Sequence, residues 1–386
     1  MKSKSTLKNL RLAENLQSAL ASGHPWIYRN HLPKHNLVMG DWVRLEAGKT
    51  AAIGLYDSES AIAVRLLSWE NLPDSAWVFK RIEEALALRS KLDQATNAYR
   101  LIYGENDFLP AITVDRYDRF AVLKSYSPSV DGLIPDVVKA LSKLIKLKGI
   151  VKRSDKGLER LYGELPPPEV TIQENGLKLL ANLYEGQKTG LFLDHRDNRQ
   201  TLSSYCEGKT VLNLFSYSGA FSLYALKGGA SKVTSVDIAA KANEDAKRNV
   251  ALNGFEAHRH EAISRDCFEL LQDYKTQGKS FDVVILDPPS LAMNKKNRQA
   301  AEKAYKKLNS LALACLHEGG LLATASCTSQ ISPDDFRALL GEAASQSHKR
   351  LQMIHEAGHA ADHPVRAGFL EGRYLKFILS RVWKAL

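Results

Sequence analysis

Residues 40–68, GDWVRLEAGKTAAIGLYDSESAIAVRLLS, alternate short apolar stretches with the turn-forming pieces AGK and YDSES. A period of two places alternate side chains on one face of a strand, so this stretch predicts a small antiparallel β-barrel. The next segment, Trp77 to Lys91, carries Val78, Ile82, Ala85, Leu86 and Leu88 at helical spacing and predicts a helix. Strand-like sequence follows: YRLIYG, the turn ENDF, PAITVD, the turn RYDR and FAVLKSY. Leu133 to Lys146 is helical by period, with Pro135 tolerated in the first turn, and GIVKRS returns to strand. After a break at Pro166 to Pro168, VTIQENGLKLLANL reads as a hairpin, because Asn175-Gly176 tolerates the positive φ that a two-residue turn needs.

From about Gly186 the period changes. TVLNLF, KVTSVD, FDVVILDPP and GGLLATASC are buried-strand runs separated by the helical segments SYSGAFSLYALKGG and DIAAKANEDAKRNVALNG. Strands alternating with helices predict a doubly wound parallel sheet. The expected architecture is multidomain: a β-barrel over 1–72, a central α+β domain with its linking hairpin over 73–183, and an α/β Rossmann-like domain over 184–386. A chain of 386 residues is long enough for two or three such cores.

Composition narrows the class. Apolar residues make up 44% of the chain, yet no run approaches the roughly 20 residues of a membrane span. The N-terminus MKSKSTLKNLRLAENL has no signal-peptide apolar run, so a soluble cytoplasmic protein is expected. Cys206, Cys267, Cys315 and Cys327 show no CxxC pairing, which predicts free thiols and no metal site. A net charge of +10 favours a polyanionic partner, since each neutralised phosphate releases counterions.

The chemistry is concentrated at the ends of the predicted strands. Asn213-Leu214-Phe215 ends one strand, and Ser216-Tyr217-Ser218-Gly219-Ala220 turns directly into a helix, the place where open α/β sheets bind ligands. The GxGxxG pattern that lets backbone approach a pyrophosphate is absent. One close approach, at Gly219, suits S-adenosylmethionine, which has no phosphate. Asp237 ends the next strand, where a carboxylate accepts from ribose hydroxyls. Asp266 could accept from an adenine amino group, with Phe268 as an apolar wall. The sequence Asp287-Pro288-Pro289 closes a third strand, and its prolines force an extended turn beside the reacting centre. Ser290 follows where enzymes methylating exocyclic amines usually place an aromatic residue. Cys327 ends a fourth strand and is the expected nucleophile: carbon 5 of cytosine attacks a sulfonium only after a thiolate has added at carbon 6. Asp287 is a candidate for the base that then removes the carbon 5 proton. The other three cysteines are expected to be buried and structural.

These motifs, with GHPWIYRNHL, GDWV, EGQKTGLFLDHRDNR and ADHPV, resemble the bacterial 23S ribosomal RNA 5-methylcytosine methyltransferases along nearly the whole chain. That family joins an N-terminal PUA domain to a Rossmann-like methyltransferase domain. The resemblance implies cofactor or active-site contacts at Lys188, Thr189, Gly190, Asp194 and Arg196, and the nucleophile at Cys327. Asn213, Phe215, Tyr217, Ala220 and Pro288 complete the expected cofactor pocket. The chain departs from the family at Leu291, where relatives often carry an aromatic. Ser290 stands where other RNA cytosine methyltransferases have a second cysteine. For RNA, His24, Trp26, Tyr28 and Arg29 are stacking and phosphate candidates, and Lys295 and Lys296 lie in a basic segment near the active-site mouth. The substrate is expected to be 23S RNA, free or in a partly assembled subunit, and a homodimer is among the assemblies the sequence allows. Two other functions stay open at this point, a guanine N-methyltransferase that does without Cys327 and a non-catalytic RNA-binding assembly factor.

Overall fold

The computed structural model describes residues 7–292 and 295–385, without the side chain of Lys295. The expected contact at Lys295 and the start of the N-terminal segment therefore lie outside the described residues. The chain forms two compact units, the first comprising the chain through Ile172 with Ala181–Leu193 and Ala361–Gly372, the second comprising Gln173–Leu180, Asp194–Ala360 and Arg373–Leu386.

In the first unit, strands Trp42–Ala47, Thr50–Tyr56 and Ile62–Ser68 form the antiparallel core of the barrel that the alternation predicts. Lys8–Arg11 and Trp26–Tyr28 add the two edges, the former pairing parallel with Trp42–Ala47. With four and three residues they are too short to show a period. Val43, Leu45, Ala52, Val64 and Leu66 fill the interior.

A second five-stranded sheet carries Ala98–Tyr103, Ile112–Tyr117, Phe120–Ser125, Gly149–Ser154 and Gly157–Gly163 in sequential order. Only the third and fourth are parallel, and the helix Ile134–Leu144 crosses between them. The helix expected over Trp77 to Lys91 spans Ser75–Leu88, capped by Asp74, which accepts from the Trp77 amide at 2.8 Å. It stops short because Arg89 turns inward and becomes fully buried, donating to the carbonyls of Ala85, Arg100 and Asp362 and, bidentately, to Asp107. Leu55 and Leu67 of the barrel share one core with Val78, Ile82, Leu101, Val114 and Val137. The predicted hairpin forms between Glu169–Glu174 and Leu177–Asn182, with φ of 48° at Asn175 and 81° at Gly176.

The second unit is a seven-stranded sheet. Its strands are β1 (Thr210–Leu214), β2 (Lys232–Asp237), β3 (His260–Ser264), β4 (Phe281–Leu286), β5 (Leu316–Ser326), β6 (Lys349–Ala357) and β7 (Lys376–Lys384). The spatial order is β3-β2-β1-β4-β5-β7-β6, with β7 antiparallel to both neighbours and the rest parallel. The helices are α1 (Arg196–Ser203), α2 (Ala220–Lys227), α3 (Ala240–Leu252), α4 (Cys267–Gln277), α5 (Arg298–Ala314) and α6 (Pro333–Gln346). Strand order reverses at β1, so the carboxyl ends of β1, β2 and β4 open a crevice there.

Burial and the nearby Lys247 push the pKa of His260, on β3, down to about 4. The folded ring is therefore neutral over a range where the unfolded one binds a proton, so acidification from pH 6.5 towards 4 favours unfolding. A thermal melt across this range should show His260→Gln losing less stability on acidification than the parent chain.

Candidate active site

The turn after β1 is built for close approach. Phe215 and Tyr217 have positive φ, and Gly219 has φ of 79° at the start of α2. A Cβ on Gly219 would stand 2.8 Å from that of Ala246, so only glycine lets α2 and α3 pack here. The turn is held from the neighbouring strand: the amide of Ser216 donates to the Val236 carbonyl at 3.0 Å, and that of Tyr217 to Asp237 Oδ2 at 2.9 Å. Asp237 Oδ1 accepts from the Ala239 amide at 2.9 Å. The carboxylate is thus fixed at the tip of β2, half-buried, with lone pairs left for further donors. The hydroxyls of Ser216 and Ser218 are buried with no hydrogen-bond partner among the described residues.

Asp266 caps α4, accepting through Oδ1 from the amides of Phe268 and Glu269 at 2.8 and 3.0 Å. Its capping role leaves Oδ2 for a ligand. The rings of Phe215 and Phe268 meet edge to face at 6.5 Å and form an apolar wall beside it. Asn213, on β1, is 1% exposed; its Nδ2 donates to Ser222 Oγ at 2.9 Å, and its Oδ1 is buried with no hydrogen-bond partner among the described residues.

At the other side of β1, Asp287 is half-buried at the end of β4 and Pro288 is buried behind it. Cys327 follows β5, half-buried, with Sγ 3.8 Å from the Pro288 carbonyl oxygen. The other three cysteines are fully buried, and burial pushes their thiols up, Cys206 and Cys267 to about 12 and Cys315 to about 11. They remain unreactive thiols at neutral pH, whereas Cys327 stands at the sheet's carboxyl edge.

Two neighbours of this centre escape sequence reasoning. His195 is buried with Nε2 3.3 Å from Asp287 Oδ1, a close polar contact rather than an aligned hydrogen bond. Asn198 Nδ2 lies 3.1 Å from His195 Nδ1 and donates to the Gly358 carbonyl at 3.0 Å, which makes it the donor to Nδ1 and turns the ring's N–H towards Asp287. The second neighbour is Lys376, the first residue of β7, 2% exposed and in register with Ser326. Neither residue stands in a strand-end motif, so only their neighbours in space reveal them.

Lys188, Thr189 and Gly190 belong to the first unit. Lys188 is exposed. Thr189, expected to touch the cofactor, is instead buried between Tyr117 and Asp115, at 2.8 and 2.6 Å. In the second unit, Asp194 Oδ2 accepts from the Tyr374 hydroxyl at 2.5 Å, and Arg196 is buried with Nε donating to Asp197. Ala220 is half-buried at the start of α2.

Three of the barrel candidates have partners within the first unit. Trp26 Nε1 donates to Glu105 at 2.8 Å and its ring meets Phe369 at 4.7 Å, while His24 packs edge-on against the same phenylalanine. Arg29 donates to Tyr56 Oη and to the carbonyls of Asp57 and Ser60. Arg29 is nonetheless exposed, and His24 and Trp26 are half-buried. Tyr28 is half-buried, and Lys296 is exposed.

Residues 140–365 match the family model described as S-adenosylmethionine-dependent methyltransferase. The chain belongs to that family. The methyltransferase also carries a PUA-like domain, matched over residues 10–69. It is 37% identical over 391 residues to ribosomal RNA large subunit methyltransferase I of Escherichia coli strain SMS-3-5, covering 97% of this chain and 99% of that one. The protein of the same name from Alteromonas mediterranea is 36% identical, covering 96% and 98%. The solved structure of SMU.776 complexed with SAH superposes with a TM-score of 0.87 at 25% identity, over 97% of this chain and all of that one.

S-adenosylmethionine is the cofactor of the methyltransferase, and the crevice fits it. The Gly219 turn admits an uncharged backbone approach, two buried hydroxyls await partners, Asp237 suits a ribose, and Asp266 beside the Phe215–Phe268 wall suits an adenine. No group of His, Cys, Asp and Glu suited to a metal occurs among the described residues, and no helix there is long and apolar enough to cross a membrane. On the expectation that Asp237 accepts from both ribose hydroxyls, its removal deletes two charge-assisted bonds. Asp237→Ala should weaken S-adenosylmethionine binding by about 100-fold, read by calorimetry.

Proposed function

We propose that this methyltransferase modifies carbon 5 of a cytosine in large-subunit ribosomal RNA through a covalent adduct with Cys327. The observation that carries the reading is the position of Cys327, the one half-buried thiol of the four, against the Asp287-Pro288 loop. The relatives named for ribosomal RNA large subunit methylation, matching nearly end to end, support the substrate class. The PUA-like domain and the net charge of +10 agree with it.

Bound S-adenosylmethionine supplies the methyl group as a sulfonium electrophile. The Cys327 thiolate adds to carbon 6 of the unstacked base, moving the C5=C6 electron pair onto carbon 5, which takes the methyl group. The carbon 5 proton then passes to a base, the C5=C6 bond re-forms and the thiolate leaves. Asp287 is our assignment for that base, oriented by the His195 N–H, which Asn198 fixes in place. The exposed Ser290 beside the loop leaves no aromatic ring there to hold an exocyclic amine.

Mass mapping of ribosomal RNA from cells lacking the protein tests the reading. One 5-methylcytosine should disappear from the large-subunit RNA and return with the intact gene, and a lost methyl on guanine would replace this reading with an N-methyltransferase. Methylation of naked RNA and of purified subunits, side by side, identifies the substrate form.

A further inference from the structure

Lys376 is a buried cation that the reading above leaves without a task. Its Nζ donates to the carbonyl of Thr328 and, at 2.9 Å, to that of Tyr374. Thr328 is the residue after Cys327, and Ser326, the residue before it, is the register partner of Lys376 across the antiparallel β5–β7 pair. The ammonium is therefore held against the backbone of the segment that follows β5, between Ser326 and Thr328, which carries the cysteine. Burying a charge is costly unless something compensates it, and two carbonyl dipoles are modest compensation for a full positive charge.

We propose that Lys376 is a positioning residue for the nucleophile, its ammonium keeping Cys327 as a thiolate in the resting enzyme. The inference rests on Cys327 being the nucleophile. The thiol proton leaves to solvent before RNA binds, so the S–H bond is already broken when sulfur adds to carbon 6. Lys376 gives up no proton in the step and counters the charge on sulfur whenever the C–S bond is absent, before addition and after release.

The groups around the ammonium agree with this role. Burial, joined by the repulsion of Arg373 and opposed by the attraction of Cys327 and Asp335, brings the Lys376 pKa down to about 8. It stays mostly charged at neutral pH, and Cys327 and Asp335 both oppose the loss of its proton. α5 brings the Tyr305 hydroxyl, fully buried, up to Ser326 and within electrostatic range of Cys327 and Asp287. Tyr305 stays protonated, because burial raises its pKa further, so it adds no negative charge against a thiolate.

The test is the pH profile of Cys327 alkylation by iodoacetamide, followed by mass spectrometry of its peptide in the full-length protein. The parent profile should have its midpoint below the free-thiol value of about 8.5. Lys376→Gln keeps a donor for the Thr328 carbonyl and removes the charge, and should move the midpoint up by about one pH unit or more. Lys376→Arg, which keeps the charge, should restore most of the shift. A purely structural role predicts the reverse, a Gln variant with the parent midpoint, and that result would overturn the proposal. So would a parent midpoint at or above the free-thiol value, a measurement that stands even if the Gln variant does not fold. Should Cys327→Ala retain methyl transfer while the Lys376 shift is seen, the nucleophile reading fails and the charge coupling survives.

Discussion

Cys327→Ala should lower methyl transfer to large-subunit RNA by at least about 10³-fold while leaving S-adenosylmethionine binding unchanged. Loss of an enzyme nucleophile costs in the range of 10³ to 10⁶ in turnover, or roughly 4–8 kcal/mol of barrier. Two features favour a clean result. The side chain is half-buried at a strand end rather than packed in the core, and the Sγ contact to the Pro288 carbonyl, at 3.8 Å, is a weak one to lose. The groups expected to hold the cofactor, the Gly219 turn, Asp237 and Asp266, stand at the ends of other elements than the one Cys327 follows. The measurement pairs tritium transfer from labelled cofactor with calorimetry on the same preparation. RNA carrying 5-fluorocytidine at the target should trap the parent enzyme in a denaturation-resistant complex, because fluorine cannot leave as the carbon 5 proton does. The alanine variant should give no complex. Full activity in that variant would refute the covalent route.

Arg89→Met should produce the largest loss of stability of any single change considered for this protein. The guanidinium is 1% exposed and pairs with Asp107, whose side chain is 2% exposed. It also satisfies the carbonyls of Ala85, Arg100 and Asp362. Methionine matches the stem and fills much of the volume, but it strands a buried carboxylate and three carbonyls. Removing one partner of a buried pair costs about 3–5 kcal/mol, because the remaining charge has lost its solvent and its counter-charge together. In a unit of this size that corresponds to a fall in melting temperature of roughly 10 °C. Replacing both partners, Arg89→Met with Asp107→Leu, should recover part of the loss in a double-mutant cycle, and an additive result would show that the pair does not act as one.

Arg89 also shows where a reading of the sequence stops. Apolar periodicity carries the helix forward to Lys91, and nothing local says that Arg89 will turn inward, because its partners lie 18 and 273 positions away. The same limit applies to the barrel, where His24, Trp26 and Arg29 looked like an RNA-facing set. Trp26 and His24 pack against Phe369, more than three hundred residues on, while Arg29 bonds within the barrel itself. Thr189 follows the same pattern, its hydroxyl used by Asp115, and Asn213 gives its Nδ2 to Ser222. In each case the residue type was suited to a ligand and the packing assigned it an internal partner.

What the chain determined by itself are the elements and the residues at their ends. Strand periodicity, the Asn175-Gly176 turn and the alternation after Gly186 lead to the multidomain architecture that the structure has. Gly219, Asp237, Asp287 and Cys327 were legible because each stands next to an apolar run, and a parallel sheet brings all such carboxyl ends to one edge. Tertiary structure alone decided which groups stand behind them. His195 reaches Asp287 from the start of α1, and Lys376 reaches the Thr328 carbonyl beside Cys327 because β7 inserts antiparallel beside β5. Strand order is set by how the whole sheet buries its two faces. A buried cation next to a thiol is therefore a property of that order, which no local pattern in the sequence encodes.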